Sequence, residues 1–217
     1  MRFETDRGPI EVGITALVIA GWTGRDAAAV RRHVEELAAL GVPPPSRTPL
    51  HYRVGAGLLT QAATIDVLGE DTSGEAEPFV LQADGALWLG LGSDHTDRGL
   101  EAISVAAAKQ ACPKPVAGVL WAWEEVEGHL DRIELASEIH EGGAWRPYQS
   151  GTLAAIRPLH GLIEDAGLAE GGAMMCGTLA AIGAVRPATR FRARLHDPVR
   201  DRSIEFGYEV DVLPVVA

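Results

Sequence analysis

The chain has 217 residues, 47% of them hydrophobic and 23% charged, with 25 glycines and a formal net charge of −11. A chain of this size buries a core without staples, and its negative charge repels phosphate backbones, which argues against a nucleic-acid partner. Its two cysteines, Cys112 and Cys176, show no CxxC or Cys/His spacing, which argues against a disulfide framework and a structural zinc site.

The chain starts Met1-Arg2-Phe3-Glu4-Thr5-Asp6, with no basic leader before an apolar core. The apolar stretch Ile14 to Trp22 is short of the roughly 20 residues that span a bilayer. A cytoplasmic protein without a membrane partner is expected.

Residues 10–20 start with alternation and become continuously apolar, which predicts a strand running into the core. From about Arg25 to Leu40 the pattern is an amphipathic helix, with Val30, Leu37 and Leu40 on the apolar face. Gly41 and Pro43-Pro44-Pro45 stop it. Residues 50–54 and 77–91 read as strands, with Asp84-Gly85 as a hairpin turn. Leu100 to Ala111 predicts a second helix, ended by Pro113 and Pro115, and Val116 to Trp123 a buried strand. Residues 133–139 alternate, and Trp145 to Tyr148 can pair with them across Gly142-Gly143. Leu153 to Leu168 has helical content around Pro158, and the apolar Ala173 to Cys176 ends in a Gly177-Thr178 turn. Ile204, Phe206, Tyr208, Val210 and Val212 alternate with polar residues or glycine, the period of a half-buried strand. Many strands with a few helices out of βα alternation make the class α+β. We expect one catalytic domain over residues 1–217, with residues 1–22 as an N-terminal strand segment.

Four places could carry chemistry. Glu75-Ala76-Glu77 puts two carboxylates at i and i+2 at a strand start, pointing the same way. They repel unless a cation lies between them. Gly92-Ser93-Asp94-His95-Thr96-Asp97-Arg98 is a polar cluster directly after the apolar run Leu87 to Leu91, at the lip of a core. Carboxylate oxygens suit Mg²⁺, Mn²⁺ or Ca²⁺, although the same segment could be a charged turn with Asp97 capping a helix. His33 and Glu36 are three apart on the first helix and face the same way, as an imidazole base and its partner or as a surface pair. Lys109, among alanines, either snorkels outward or meets an anion. Cys176 reads as a core cysteine.

In joint order these pieces resemble the fumarylacetoacetate hydrolase superfamily over about residues 22 to 212, and within it a short bacterial, DUF2848-like subgroup of unassigned function. The order runs Gly24-Arg25-Asp26, His33-Val34-Glu35-Glu36, Glu75-Ala76-Glu77 and Asp94-His95-Thr96-Asp97-Arg98. It continues with Ala108-Lys109-Gln110-Ala111-Cys112-Pro113, Tyr148-Gln149 and Gly177-Thr178. This sequence departs from the pattern in having Asp26 in place of an asparagine, a longer gap from Asp26 to His33 and a shorter one from Glu77 to Asp94. His95 and Asp97 are additional polar groups.

The resemblance implies a mixed β-roll with flanking helices and a divalent ion, Mg²⁺ or else Mn²⁺ or Ca²⁺, on Glu75, Glu77 and Asp94. It implies His33 and Glu36 as the dyad that activates a water, on a helix within residues 23–45 that closes over the site as a lid. Lys109 acts with them. Arg98, Gln149, Thr178 and Arg25 contact a small carboxylate substrate. The implied activity is hydrolysis of a carbon–carbon or related bond in a small oxo acid, by a homodimer. A decarboxylase or isomerase on the same site is the alternative, and a non-catalytic small-molecule binding module a second one.

Overall fold

The computed structural model describes residues 1–39 and 44–216, without the side chains of His33 and Leu37. Expectations for Leu40, Gly41 and Pro43 therefore lie outside the described residues. Two larger sheets organise what is described. An eight-stranded sheet runs in the order Ile10–Glu11, Arg2–Thr5, Val119–Ala122, Ala86–Ser93, Ala76–Ala83, Gly172–Met175, Ala16–Gly21 and Leu50–Val54. A five-stranded sheet runs Ala144–Thr152, Glu134–Glu141, Arg190–Asp197, Arg202–Leu213 and Thr64–Leu68. Two short ladders join Thr96–Asp97 to Thr72–Ser73 and Lys114–Pro115 to Leu59–Thr60.

The central strands of the larger sheet are apolar on both faces, because both faces are covered. Val18, Val80, Leu89, Leu91 and Met174 meet Leu135, Ile139, Phe191, Leu195 and Ile204 of the five-stranded sheet in one core. Leu17, Ile19, Phe79, Leu81 and Met175, one residue out of phase, join Phe3 and Leu120 in a second core on the opposite face. Strands and helices together make the α+β class expected.

The Asp84-Gly85 turn is where the sequence places it. Both residues have positive φ, 54° and 72°, and the strands pair in register from Ala83↔Ala86 to Ala76↔Ser93. The first helix spans Ala27–Ala39, with Asp26 Oδ1 accepting from the amides of Ala28 and Ala29.

Three expectations are corrected. The strand over 10–20 is two strands on opposite sides of the sheet order, Ile10–Glu11 and Ala16–Gly21. The helix over 100–111 is broken into Arg98–Glu101 and Val105–Ala111, because Asp97 and Ser104 each cap a new start with a side-chain oxygen. The strand over 116–123 is shorter, Val119–Ala122, and Trp123 already begins the helix Trp123–Val126.

Candidate active site

The open end of the Asp-Gly hairpin is where the carboxylates meet. Ala76 pairs with Ser93 and Glu77 with Gly92, while the Asp94 amide donates to Glu75 O at 3.0 Å. Glu75 lies one residue before the strand Ala76–Ala83 that carries Glu77, and Asp94 one residue after the partner strand Ala86–Ser93. Each offers an oxygen, and the three oxygens lie within 4.8 Å of one another. Two oxygens on opposite sides of a hard cation are separated by roughly 4–5 Å, twice a metal–oxygen distance.

Glu77 and Asp94 are buried, and three cations pair with the cluster, two with Asp94 and one with Glu75. Lys109 Nζ contacts Asp94 Oδ2 directly. Lys114 Nζ lies 3.1 Å from Asp94 Oδ1 and donates to the His95 carbonyl. Arg98 reaches Glu75 at 3.3 Å and Glu101 at 2.7 Å, and its Nε donates to Ser73 Oγ at 2.7 Å. Burial pushes the Glu77 carboxyl well above the usual carboxylate range, and the Asp94 charge pushes it further. Burial acts on Asp94 in the same sense, but Lys109 and Lys114 overcome it and hold Asp94 below that range. Lys109 is raised: burial disfavours its charge, and the surrounding carboxylates more than compensate.

The backbone around the pair is fixed by neutral groups. Gln149 Oε1 accepts from the Ala76 amide at 2.8 Å and from Ser137 Oγ at 2.7 Å. Its Nε2 donates to Thr178 Oγ1 and to Leu179 O, and Thr178 Oγ1 donates to Ala76 O at 2.9 Å. Gly177, at φ 101°, donates its amide to Glu77 Oε2 at 2.7 Å. A Cβ on Gly177 would lie 1.7 Å from Thr23 Oγ1, so only glycine fits there. Behind Asp94, Tyr208 Oη meets Ser93 Oγ at 2.9 Å and His95 Nδ1 at 3.0 Å, and His95 Nε2 meets Thr72 Oγ1 at 2.9 Å. Burial, with the charges of Lys114 and Arg98, pushes His95 down to about 3, so it is neutral.

The structure thus gathers Glu75, Glu77, Asp94, Arg98 and Lys109 directly, with Gln149 and Thr178 bracing Ala76. Arg25 is committed elsewhere, bidentate on Asp131 at 2.6 and 2.7 Å and with Nε on Ile156 O. The His33 side chain lies outside the described residues, although its helix is present. Glu36 is in that helix as well. Lys114 was missed, because Pro113 and Pro115 read only as a helix stop and hid the lysine between them. Tyr208 was read as one apolar position of a strand.

The donor set fits a hard divalent ion. It is all oxygen, it is carboxylate, and the buried Asp94 Oδ1 has no aligned hydrogen-bond donor despite the nearby Lys114 ammonium.

The sequence model described as "Protein of unknown function (DUF2848)" matches residues 20–208. The chain belongs to the DUF2848 family. No curated protein matches it by sequence. Among solved structures it is similar to Cg1458, with a TM-score of 0.61 at 12% identity over 94% of this chain and 77% of that one. A 2-keto-3-deoxyarabinonate dehydratase gives 0.64 at 16% identity over 91% and 74%. The 2-keto-3-deoxy-D-arabinonate dehydratase complexed with magnesium and 2,5-dioxopentanoate gives 0.63 at 14% over 96% and 76%. At these identities the likeness is one of fold. It agrees with the fumarylacetoacetate hydrolase-like architecture that the motif order implies for this DUF2848 chain. Among the described residues no helix is long and apolar enough to cross a membrane.

Proposed function

We propose that this DUF2848 protein is a divalent-metal-dependent enzyme that acts on a small 2-oxo acid. The observation that carries the reading is the convergence of Glu75, Glu77 and Asp94 at one hairpin end, with two lysines and an arginine set against them. A divalent ion held by those carboxylates supplies Lewis-acid polarisation of the substrate's oxygens. The chain's own groups do the rest. Lys109 and Arg98 draw the substrate carboxylate, and the Lys109 ammonium faces the charge that develops on the 2-oxo oxygen. Gln149 and Thr178 hold the Glu75–Glu77 backbone in place from behind. Arg25 anchors the foot of the Ala27–Ala39 helix through Asp131.

Within this class we place hydrolysis of a carbon–carbon bond first. His33, oriented by Glu36, takes a proton from water and the hydroxyl adds to the second carbonyl of the substrate; the bond to the oxo acid then breaks, its electron pair leaving as the oxo-acid enolate, whose carbon takes up the proton held by His33. A lyase or isomerase on the same groups is the second reading. It is favoured by the solved structures titled dehydratases.

The test has two steps. Oxalate, which mimics the oxo-acid end, is titrated calorimetrically into protein with and without Mg²⁺. The reading expects binding only with the ion, weakened at least about tenfold in Lys109→Met, which loses one charge-assisted hydrogen bond. Binding that ignores Mg²⁺, or none at all, overturns it. Acetylpyruvate, a 2,4-dioxo acid, then separates the branches. Hydrolysis yields pyruvate and acetate, and His33→Ala lowers kcat by about 10²–10⁴. Cleavage at the wild-type rate in that variant moves the lyase reading ahead.

A further inference from the structure

A cleft of about 610 Å³ shares no lining residue with the carboxylate cluster. Its walls come from Arg25 and Ala27 at the foot of the first helix, from Arg47, and from the helix Leu159–Ala166 with Arg157 just before it. In a chain of net charge −11, three arginines here stand against one lining carboxylate, Asp165. Two of the three are engaged. Arg25 is bidentate on Asp131, and Arg47 lies 3.9 Å from Asp165, which also has His51 Nδ1 at 3.4 Å. Arg157 is different. Among the described residues its guanidinium meets no carboxylate and no hydrogen-bond acceptor. Its Nε is closed off from solvent, so packing alone holds the group, and the outer nitrogens are left to meet a ligand. The backbone sets its place: the Arg157 amide donates to Thr23 O at 2.8 Å, beside the bridge between Gly24 and Ile156. The helix that follows opens at Pro158 without a side-chain cap, and a Cβ on Gly161, in its first turn, would meet nothing within 4 Å.

We propose that this cleft binds a phosphate-type oxyanion, free or as the phosphoryl group of a small ester, with Arg157 as its main partner and Arg47 as a second cation. A guanidinium keeps its charge at any working pH, and its planar fork matches phosphate oxygens with two parallel N–H donors. One that packing already holds loses little freedom on binding. The first-turn amides of Leu159–Ala166 have no partner within their own helix, and the helix dipole favours negative charge at that end. Pro49, Pro158 and Leu162 also line the cleft and give an ester's organic part an apolar wall. The proposal stands apart from the metal reading, since none of its residues belongs to the carboxylate cluster.

The test is a calorimetric titration of inorganic phosphate into the full chain, with a chelator present so that no metal–phosphate complex contributes. The wild type should bind it. Arg157→Gln should weaken binding at least about tenfold, the loss of one charge-assisted hydrogen bond, and Arg47→Gln should weaken it in the same direction. Lys109→Met should leave it unchanged, which separates this cleft from the cations of the carboxylate cluster. Without phosphate, Arg157→Gln should melt at the wild-type temperature, because the side chain it replaces has no partner to lose. Glycerol 3-phosphate in the same titration separates the two sources: equal affinity points to the free ion and tighter binding to an ester, and either supports the site. Absent binding, binding that survives Arg157→Gln, or binding lost in Lys109→Met instead overturns it. So does an Arg157→Gln protein that melts lower without phosphate, which would make the arginine a structural one.

Discussion

Glu77 and Asp94 are both buried carboxyls, yet their neighbours drive them in opposite directions. Glu77 is pushed above the usual carboxylate range by its burial and by the charges of Asp94 and Glu75, whereas Asp94 faces Lys109 and Lys114 and is held below it. The two should answer differently to removal of charge. Asp94→Asn leaves two buried lysines without their shared anion, and losing one partner of a buried pair costs about 3–5 kcal/mol. Glu77→Gln keeps an oxygen for the Gly177 amide and removes a source of repulsion, so metal-free stability should stay level or rise. Urea denaturation in the presence of a chelator measures both, and equal losses would contradict this account of the cluster's electrostatics. Glu75 and Glu77 stood out in the sequence by their i, i+2 spacing at a strand start and Asp94 by the polar cluster after an apolar run, but only the motif order of the resemblance joined the three. Lys114 was not legible, since nothing local says that a lysine between two prolines runs into a core rather than out of it. Gln149 was found, but its role was not, because only the fold reveals that its amide is used up on Ala76, Ser137, Thr178 and Leu179.

The hairpin Ala76–Ala83 and Ala86–Ser93 is the element that aims the carboxylates, and its open end is packed without slack. A Cβ on Gly74 would come within 2.2 Å of Tyr208 Oη and 2.8 Å of Ser93 Oγ. Gly74→Ala should therefore break the Ser93–Tyr208 contact and shift Glu75, at a cost of about 1–3 kcal/mol in stability. It should also lower metal affinity, as calorimetry with Mg²⁺ would register. Wild-type affinity would mean that Glu75 is not held by this packing. The hairpin itself was legible from Asp84-Gly85 between apolar runs. The strand Arg190–Asp197 was not picked out, although Phe191, Ala193 and Leu195 alternate with Arg190, Arg192 and Arg194. The arginines find their partners only across the sheet, on Glu138, Glu205 and Glu209. The break within residues 100–111 was invisible to apolar periodicity because it is made by two capping side chains.

At the scale of the whole molecule, two sheets close on one core and present the carboxylate cluster at their junction. Tyr208 of the five-stranded sheet reaches Ser93 and His95 beside Asp94, so the site is tied to both layers. A cation bound there should stabilise the entire fold by mass action, by about 2.7 kcal/mol at a hundredfold excess over Kd. For a domain of this size, that is a rise in Tm of roughly 5–10 °C. The rise should vanish in Asp94→Asn and persist in Arg186→Gln, a surface change on the Glu141 ion pair. The pairing of the sheets was only coarsely legible. Alternation gave the class, but long-range order such as Gly172–Met175 between Ala76–Ala83 and Ala16–Gly21 is not encoded in any local pattern. The central claim is that Glu75, Glu77 and Asp94 hold a divalent ion. The most direct measurement is a crystal structure with Mn²⁺, located by its anomalous scattering. The account predicts one strong peak about 2.0–2.6 Å from an oxygen of each of the three carboxylates, with the Lys109 ammonium displaced from Asp94 Oδ2. An absent peak there, with Lys109 still on Asp94 at saturating Mn²⁺, would contradict it.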